Sequence, residues 1–308
     1  MKTVLSAALL IVAATVVGVS VWLWTPDRSR STLEAAYLQS PRDLIDIDGT
    51  RVHVRDTGPR DAPAVVMLHG TGSSLHTFEP WARLLDGAYR VIRFDLPGSG
   101  LSGPDPTGIY TDARSMEILA GILDRLGVDR AALVGNSIGG RLAWNFAAAH
   151  PERVDKLVLI SPDGFASPGF EYGRAPEISA VLSLMRYVLP KALLRPNIVA
   201  AYGDPDALTE ETLERYHALL LAPGNRDALI ERLRQTVLVD PEPILRQIQV
   251  PVLLVWGEKD GMIPVGNAAD YRRALPDSRL VTFANLGHVP HEEAPDVSVV
   301  AVREFLAE

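Results

Sequence analysis

The sequence predicts an α/β protein, a mostly parallel sheet with helices on both faces. Three observations point there. Short apolar runs recur along the chain with helically spaced stretches between them. Those runs do not alternate apolar with polar residues, so the strands are buried on both faces, as in parallel sheets. The chain is 308 residues long and 47% apolar, enough for a large core without disulfides or metals.

Residues 4–24 come first and carry no charge. As a helix at ~1.5 Å per residue they would span ~31 Å, about the hydrocarbon thickness of a bilayer. Trp22 and Trp24 stand at the far end, where indoles favour the membrane interface. The competing reading is a cleaved signal peptide, whose apolar region is usually ~7–15 residues; cutting after Gly18 or Ser20 would leave apolar Trp-containing sequence on the mature end. Residues 1–25 are therefore expected to be a transmembrane anchor, with a short cytoplasmic tail and an exported domain. Residues 26–42 are polar and read as a juxtamembrane linker with a short helix at 32–39. Ala14 and Gly18, four apart, have the small-xxx-small spacing that lets two spans approach.

The core then begins. Runs at 44–47 and 52–54 flank Asp48-Gly49, a hairpin signal. Further strands are expected at 65–68, 91–94, 131–134, 157–160, 252–256 and 280–283. Helices are expected at 111–126, 138–150 and 265–275. The strand–helix rhythm stops between Pro162 and Gln249, a region rich in Leu, Pro and Arg that reads as a helical insertion. The core is thus divided into 43–161 and 250–308, with 162–249 inserted between. Leu182, Leu184, Met185, Val188, Leu189, Leu193 and Leu194 make the insertion densely apolar.

Composition removes several classes of function. There is no cysteine, so thiol nucleophiles, thiolate metal sites and disulfides are excluded. A net charge of −8 argues against nucleic acid and gives no general attraction to anionic lipid. No metal-ligand spacing or nucleotide fingerprint is present, so no cofactor is expected.

Three loops carry the chemistry. Gly135-Asn136-Ser137-Ile138-Gly139 lies between an expected strand and an expected helix. A serine on such a strained turn is lifted above the sheet, with the helix N-terminus directed at developing negative charge. Ser137 is the expected nucleophile. It needs a base, and the base an orienting carboxylate. His288 follows the last strand in Asn285-Leu286-Gly287-His288 and is the expected base, with His291 as a rival. Asp260 follows the strand 252–256 and is the expected acid, with Glu258 and Asp163 as rivals. In the third loop, His69-Gly70-Thr71-Gly72, Thr71 is placed to give one oxyanion-binding N–H; Ile138, after the nucleophile, gives the other. His69 is read as packing this turn.

The Ser–Asp–His order, these three loops and the Phe94-Asp95-Leu96-Pro97-Gly98-Ser99-Gly100 loop resemble the α/β-hydrolase superfamily over roughly 42–308. The resemblance implies an α/β-hydrolase fold with a helical lid at 162–249. In that family the matching positions are nucleophile Ser137, acid Asp260, base His288 and oxyanion donors Thr71 and Ile138. With its apolar amino terminus, the chain more closely resembles bacterial single-pass membrane-anchored phospholipases A and carboxylesterases. That likeness implies a serine hydrolase of fatty-acyl esters in a bacterial inner membrane, its domain on the periplasmic side, with a tendency to form homodimers. Meta-cleavage-product C–C hydrolases share the same core and the Gly-Asn-Ser elbow, and form the alternative. A non-catalytic receptor on the same fold is a third possibility.

Overall fold

The computed structural model describes Thr15, Gly18, residues 23–166 and residues 171–308. Eight strands form one sheet: β1 (Leu44–Ile47), β2 (Thr50–Thr57), β3 (Ala64–Leu68), β4 (Arg90–Phe94), β5 (Ala131–Asn136), β6 (Val154–Ile160), β7 (Val252–Gly257) and β8 (Arg279–Phe283). Their order is β1-β2-β4-β3-β5-β6-β7-β8. The β1–β2 and β2–β4 pairs are antiparallel and every other pair is parallel. All eight expected strands are present, longer by one to five residues where they differ.

Alternate residues of each central strand enter opposite cores. Val66 and Leu68 of β3, Leu133 of β5 and Leu159 of β6 face one side. There they meet α3 (Asp112–Leu126) through Ile118 and Ile122, and α4 (Ile138–Ala149) through Leu142 and Phe146. Val65, Met67, Val134 and Ile160 face the other side. Two helices that the sequence reading passed over cover that face: α2 (Glu79–Leu85), through Trp81 and Leu85, and the carboxyl-terminal α9 (Pro295–Ala307), through Val299, Val302 and Phe305. The expected helix at 265–275 is α8 (Asn267–Ala274).

Between β6 and β7 the described residues form no strand, only a single bridge between Tyr172 and Leu238. The helices of this region are α5 (Lys191–Val199), α6 (Glu210–Leu220) and α7 (Asn225–Gln235), with single turns at Ala180–Ser183 and Glu242–Leu245. Leu189 and Leu194 pack against Tyr216, Leu220 and Leu221, whereas Leu184 and Leu193 are exposed. Much of the dense apolar stretch thus goes into joining these helices to one another.

Residues 24–38 are more than a linker. Helix α1 (Arg30–Tyr37), capped by the Ser29 side chain, buries Leu33 against Leu101, Ala218, Leu219 and Ala222. Asp27 pairs with Arg226 at 2.6 Å, and the Thr25 N–H donates to the Tyr187 carbonyl. This segment straps the helical insertion to the core.

The membrane expectations need correction. Most of the segment 4–24 lies outside the described residues, as does Ala14 of the Ala14–Gly18 pair, so neither the span nor a dimer contact through it is seen. Among the described residues no helix is long and apolar enough to cross a membrane. The longest, α3, has 15 residues, about 22 Å against the ~30 Å that a bilayer core requires. The expected placement as a single-pass inner-membrane protein with a periplasmic domain is withdrawn, since no described helix supports it.

Candidate active site

The site is assembled at the carboxyl ends of β3, β5, β7 and β8. Ser137 joins β5 to α4 at φ 55° and ψ −122°, an unusual backbone conformation for a residue with a side chain. The flanking glycines make this turn sterically possible. A Cβ on Gly135 would lie 2.2 Å from the Gly139 carbonyl oxygen, and one on Gly139 would lie 2.2 Å from that of Leu68. Ile138 is the first residue of α4, and N–H groups of a first helical turn have no acceptor within the helix. Beside it runs the 69–72 loop, where a Cβ on Gly70 would stand 3.2 Å from the Ser137 Cβ. Thr71 follows in that loop and is exposed.

His288 and Asp260 meet. The His288 Nδ1 lies 2.8 Å from the Asp260 Oδ2, and both side chains are nearly inaccessible. The other oxygen, Oδ1, accepts the Met262 and Ile263 N–H groups at 2.8 Å each. Burial alone would raise the Asp260 pKa, but the hydrogen bond and charge of His288 and the Ile263 N–H outweigh it and hold the pKa below its ordinary value. An ionised Asp260 in turn places a proton on His288 Nδ1 and leaves Nε2 to accept one.

The rival groups are engaged elsewhere. Glu258 is exposed and accepts from the Thr282 hydroxyl. Asp163 pairs with Arg141 at 2.6 Å. His291 is wholly buried, its Nε2 3.1 Å from the Thr77 hydroxyl and its ring stacked on Phe78. Burial pushes its pKa down to about 3. His69 accepts the Leu96 N–H on Nε2, which leaves Nδ1–H to donate to the Gly70 carbonyl, so it stiffens the turn.

Asn136, the middle residue of the Gly-Asn-Ser elbow, has a connecting role that the motif alone does not disclose. Asn136 Nδ2 donates to the His288 carbonyl at 2.9 Å and to the Ile160 carbonyl at 3.2 Å. The residue before Ser137 thus ties the turn to the loop bearing His288. The sequence signal for that role is a polar residue at the buried end of an apolar strand.

The chain belongs to the alpha/beta hydrolase family, whose model matches residues 65–302. Among curated proteins it is 34% identical over 272 residues to the 2-hydroxy-6-oxononadienedioate/2-hydroxy-6-oxononatrienedioate hydrolase of Burkholderia vietnamiensis, covering 84% of this chain and 92% of that one. It is 31% identical over 268 residues to the 2-hydroxy-6-oxo-6-phenylhexa-2,4-dienoate hydrolase of Comamonas testosteroni, covering 83% and 90%. Among solved structures it is similar to that of a membrane phospholipase A described as a bacterial virulence factor, with a TM-score of 0.74 and 26% identity, covering 100% and 98%. The expectation of a membrane-anchored esterase or phospholipase is overturned by the first two, since the higher identities belong to 2-hydroxy-6-oxo-dienoate hydrolases. What stands is hydrolase chemistry on this fold.

Proposed function

We propose that this chain is a serine-dependent C–C bond hydrolase of 2-hydroxy-6-oxo-dienoates, the products of ring meta-cleavage. The likeness to curated 2-hydroxy-6-oxo-dienoate hydrolases over more than four fifths of the chain carries this proposal. The residues assigned to the site, Ser137, His288 and Asp260, are the groups that this chemistry demands.

A carbon–carbon bond hydrolyses readily only if the departing carbanion is delocalised. In such a substrate the dienol is first ketonised by protonation at C5, which makes C5 conjugate through C4=C3 to the C2 carbonyl. His288, oriented by Asp260, accepts the Ser137 proton as Oγ attacks the C6 carbonyl. The resulting oxyanion is met by the backbone N–H groups of Ile138 and Thr71. Collapse breaks the C5–C6 bond, and its electron pair passes to the C2 oxygen as a dienolate. His288 gives that oxygen the proton it had accepted from Ser137, which yields a 2-hydroxypenta-2,4-dienoate and leaves His288 neutral. Water, deprotonated by His288, then releases the acyl group from Ser137 as a carboxylic acid. Donors fixed in advance stabilise the transition state without reorganising.

The helical insertion 162–249 acts as a lid over this site, shaping the pocket for the acyl side of the substrate. The purified full-length chain, given 2-hydroxy-6-oxo-6-phenylhexa-2,4-dienoate, should bleach its visible absorbance and yield benzoate and 2-hydroxypenta-2,4-dienoate. Turnover of phospholipid vesicles or p-nitrophenyl esters, with none of the dienoate, would overturn the proposal.

A further inference from the structure

Just beyond His288, the helical turn Pro290–Glu293 carries two adjacent carboxylates that the reaction above does not use. They point at different parts of the molecule. Glu293 accepts three backbone N–H groups: Gly287 at 2.8 Å and Gly203 at 3.1 Å on Oε2, and Asp204 at 2.8 Å on Oε1. Glu292 accepts the hydroxyls of Tyr216 at 2.8 Å, Tyr202 at 3.1 Å and Thr77 at 3.1 Å, and pairs with Arg215.

The Glu293 contacts stitch two loops together. Gly287 immediately precedes His288, whereas Gly203 and Asp204 follow α5 in the helical insertion. The His288 N–H itself donates to the Ala201 carbonyl at 2.7 Å. No side chain fits between these loops. A Cβ on Gly287 would lie 2.5 Å from both the Ala201 oxygen and the Gly203 nitrogen, and one on Gly203 would lie 2.4 Å from the Asn285 oxygen. Backbone lies against backbone, and the Glu293 carboxylate gathers the Gly287, Gly203 and Asp204 N–H groups at the seam. Charge-assisted hydrogen bonds of this kind are roughly twice as strong as neutral ones. The tyrosine hydroxyls on Glu292 keep their protons, since burial and that carboxylate raise both pKa values, and the Ser73 hydroxyl approaches Tyr216 at 3.3 Å.

We propose that Glu293 is a positioning residue: by clamping Gly287, Gly203 and Asp204 it sets the place of His288 against Asp260 and ties that place to the helical insertion. The proposal rests on His288 being the base. Glu293 touches neither substrate nor reacting atoms; it acts through the backbone next to His288. Reactivity is steep in such placement, since a misplacement of ~1 Å can cost ~100-fold in rate.

The test uses the full-length chain and needs no natural substrate. A fluorophosphonate labels an activated serine, so its rate constant reports the Ser137–His288 pair directly. Glu293→Gln keeps an acceptor for part of the seam and sets an amide donor against the rest, whereas Glu293→Ala removes every acceptor. Labelling per folded molecule should fall about 10-fold in Glu293→Gln and about 100-fold in Glu293→Ala. The far-downfield proton resonance of the His288–Asp260 hydrogen bond should broaden in the same order. Wild-type labelling and an unchanged resonance in both variants would overturn the proposal. So would losses accounted for by the unfolded fraction alone, as read by circular dichroism. Ser137→Ala and His288→Ala separate the two levels. If either labels or turns over like wild type, the assignment of the base and nucleophile fails; if both are silent while the Glu293 variants behave normally, only the positioning role fails.

Discussion

Replacing Asp260 with asparagine tests the site at its most constrained point. The side chain is fully buried, with one oxygen on His288 and the other on two backbone N–H groups. Asparagine can take two orientations. Keeping its oxygen toward Met262 and Ile263 sets its NH₂ against His288, which must then accept on Nδ1 and carry its proton on Nε2. That tautomer cannot take the Ser137 proton. Turning the amide over restores the histidine tautomer but faces NH₂ against two N–H donors, at about 1–3 kcal/mol for each buried group left unpaired. The first orientation is favoured, and the histidine is locked in the wrong form. In a Ser-His-Asp protease the equivalent change costs about 10⁴-fold in kcat, or about 5.4 kcal/mol at 1.36 kcal/mol per decade. Stopped-flow turnover of the phenyl dienoate by Asp260→Asn should fall by about that factor with the fold intact by circular dichroism. A variant within about tenfold of wild type, or an equal loss in Glu258→Gln, would refute the reasoning.

Two further outcomes follow from burial. His291 and His76 are held neutral, each with its pKa pushed down to about 3 by burial. The unfolded chain protonates both below ~6.5, so their contribution is complete above that pH and is lost progressively as pH falls toward 3. Each adds about 1.4 kcal/mol per pH unit to the slope of unfolding free energy within that window. Urea titrations from pH 6 to pH 4 should show His291→Gln with a shallower slope by about that amount, and an unchanged slope would contradict it. Leu33 is 1% exposed in the cluster that joins α1 to the insertion; Leu33→Ala should destabilise by about 2–4 kcal/mol in the same assay. A loss below about 0.5 kcal/mol would mean that the amino-terminal strap contributes little.

The sheet was legible because its strands are short, mostly apolar and bounded by turn residues; β1 reappears with the expected ends and the others are longer. The two helices passed over differ in kind. Helix α2 has seven residues, too few for a periodic pattern to stand out. Helix α9 repeats apolar residues at Val299, Val302, Phe305 and Leu306, a signal that was present but lay beyond the last motif. At the site, Ser137, Asp260 and His288 were chosen by local motif and chain order, and the structure brings Asp260 to His288. The roles of Asn136, Glu292 and Glu293 escaped because most of their partners lie far along the chain, which no local spacing encodes; Gly287, six residues before Glu293, is the exception. The same holds for residues 24–38, polar in composition yet anchored by one buried leucine and a few ion pairs. The apolar amino terminus and the elbow together favoured a lipid esterase; the elbow is shared by several chemistries, and wider similarity was needed to choose among them.

The most direct measurement is mass spectrometry of the Ser137 peptide from the full-length chain, quenched with acid during turnover of 2-hydroxy-6-oxo-6-phenylhexa-2,4-dienoate. C–C cleavage through Ser137 predicts a benzoyl group on that serine, absent from Ser137→Ala, with 2-hydroxypenta-2,4-dienoate free in solution. An unmodified peptide with no dienoate consumed, alongside a fatty-acyl adduct from phospholipid vesicles, would contradict it.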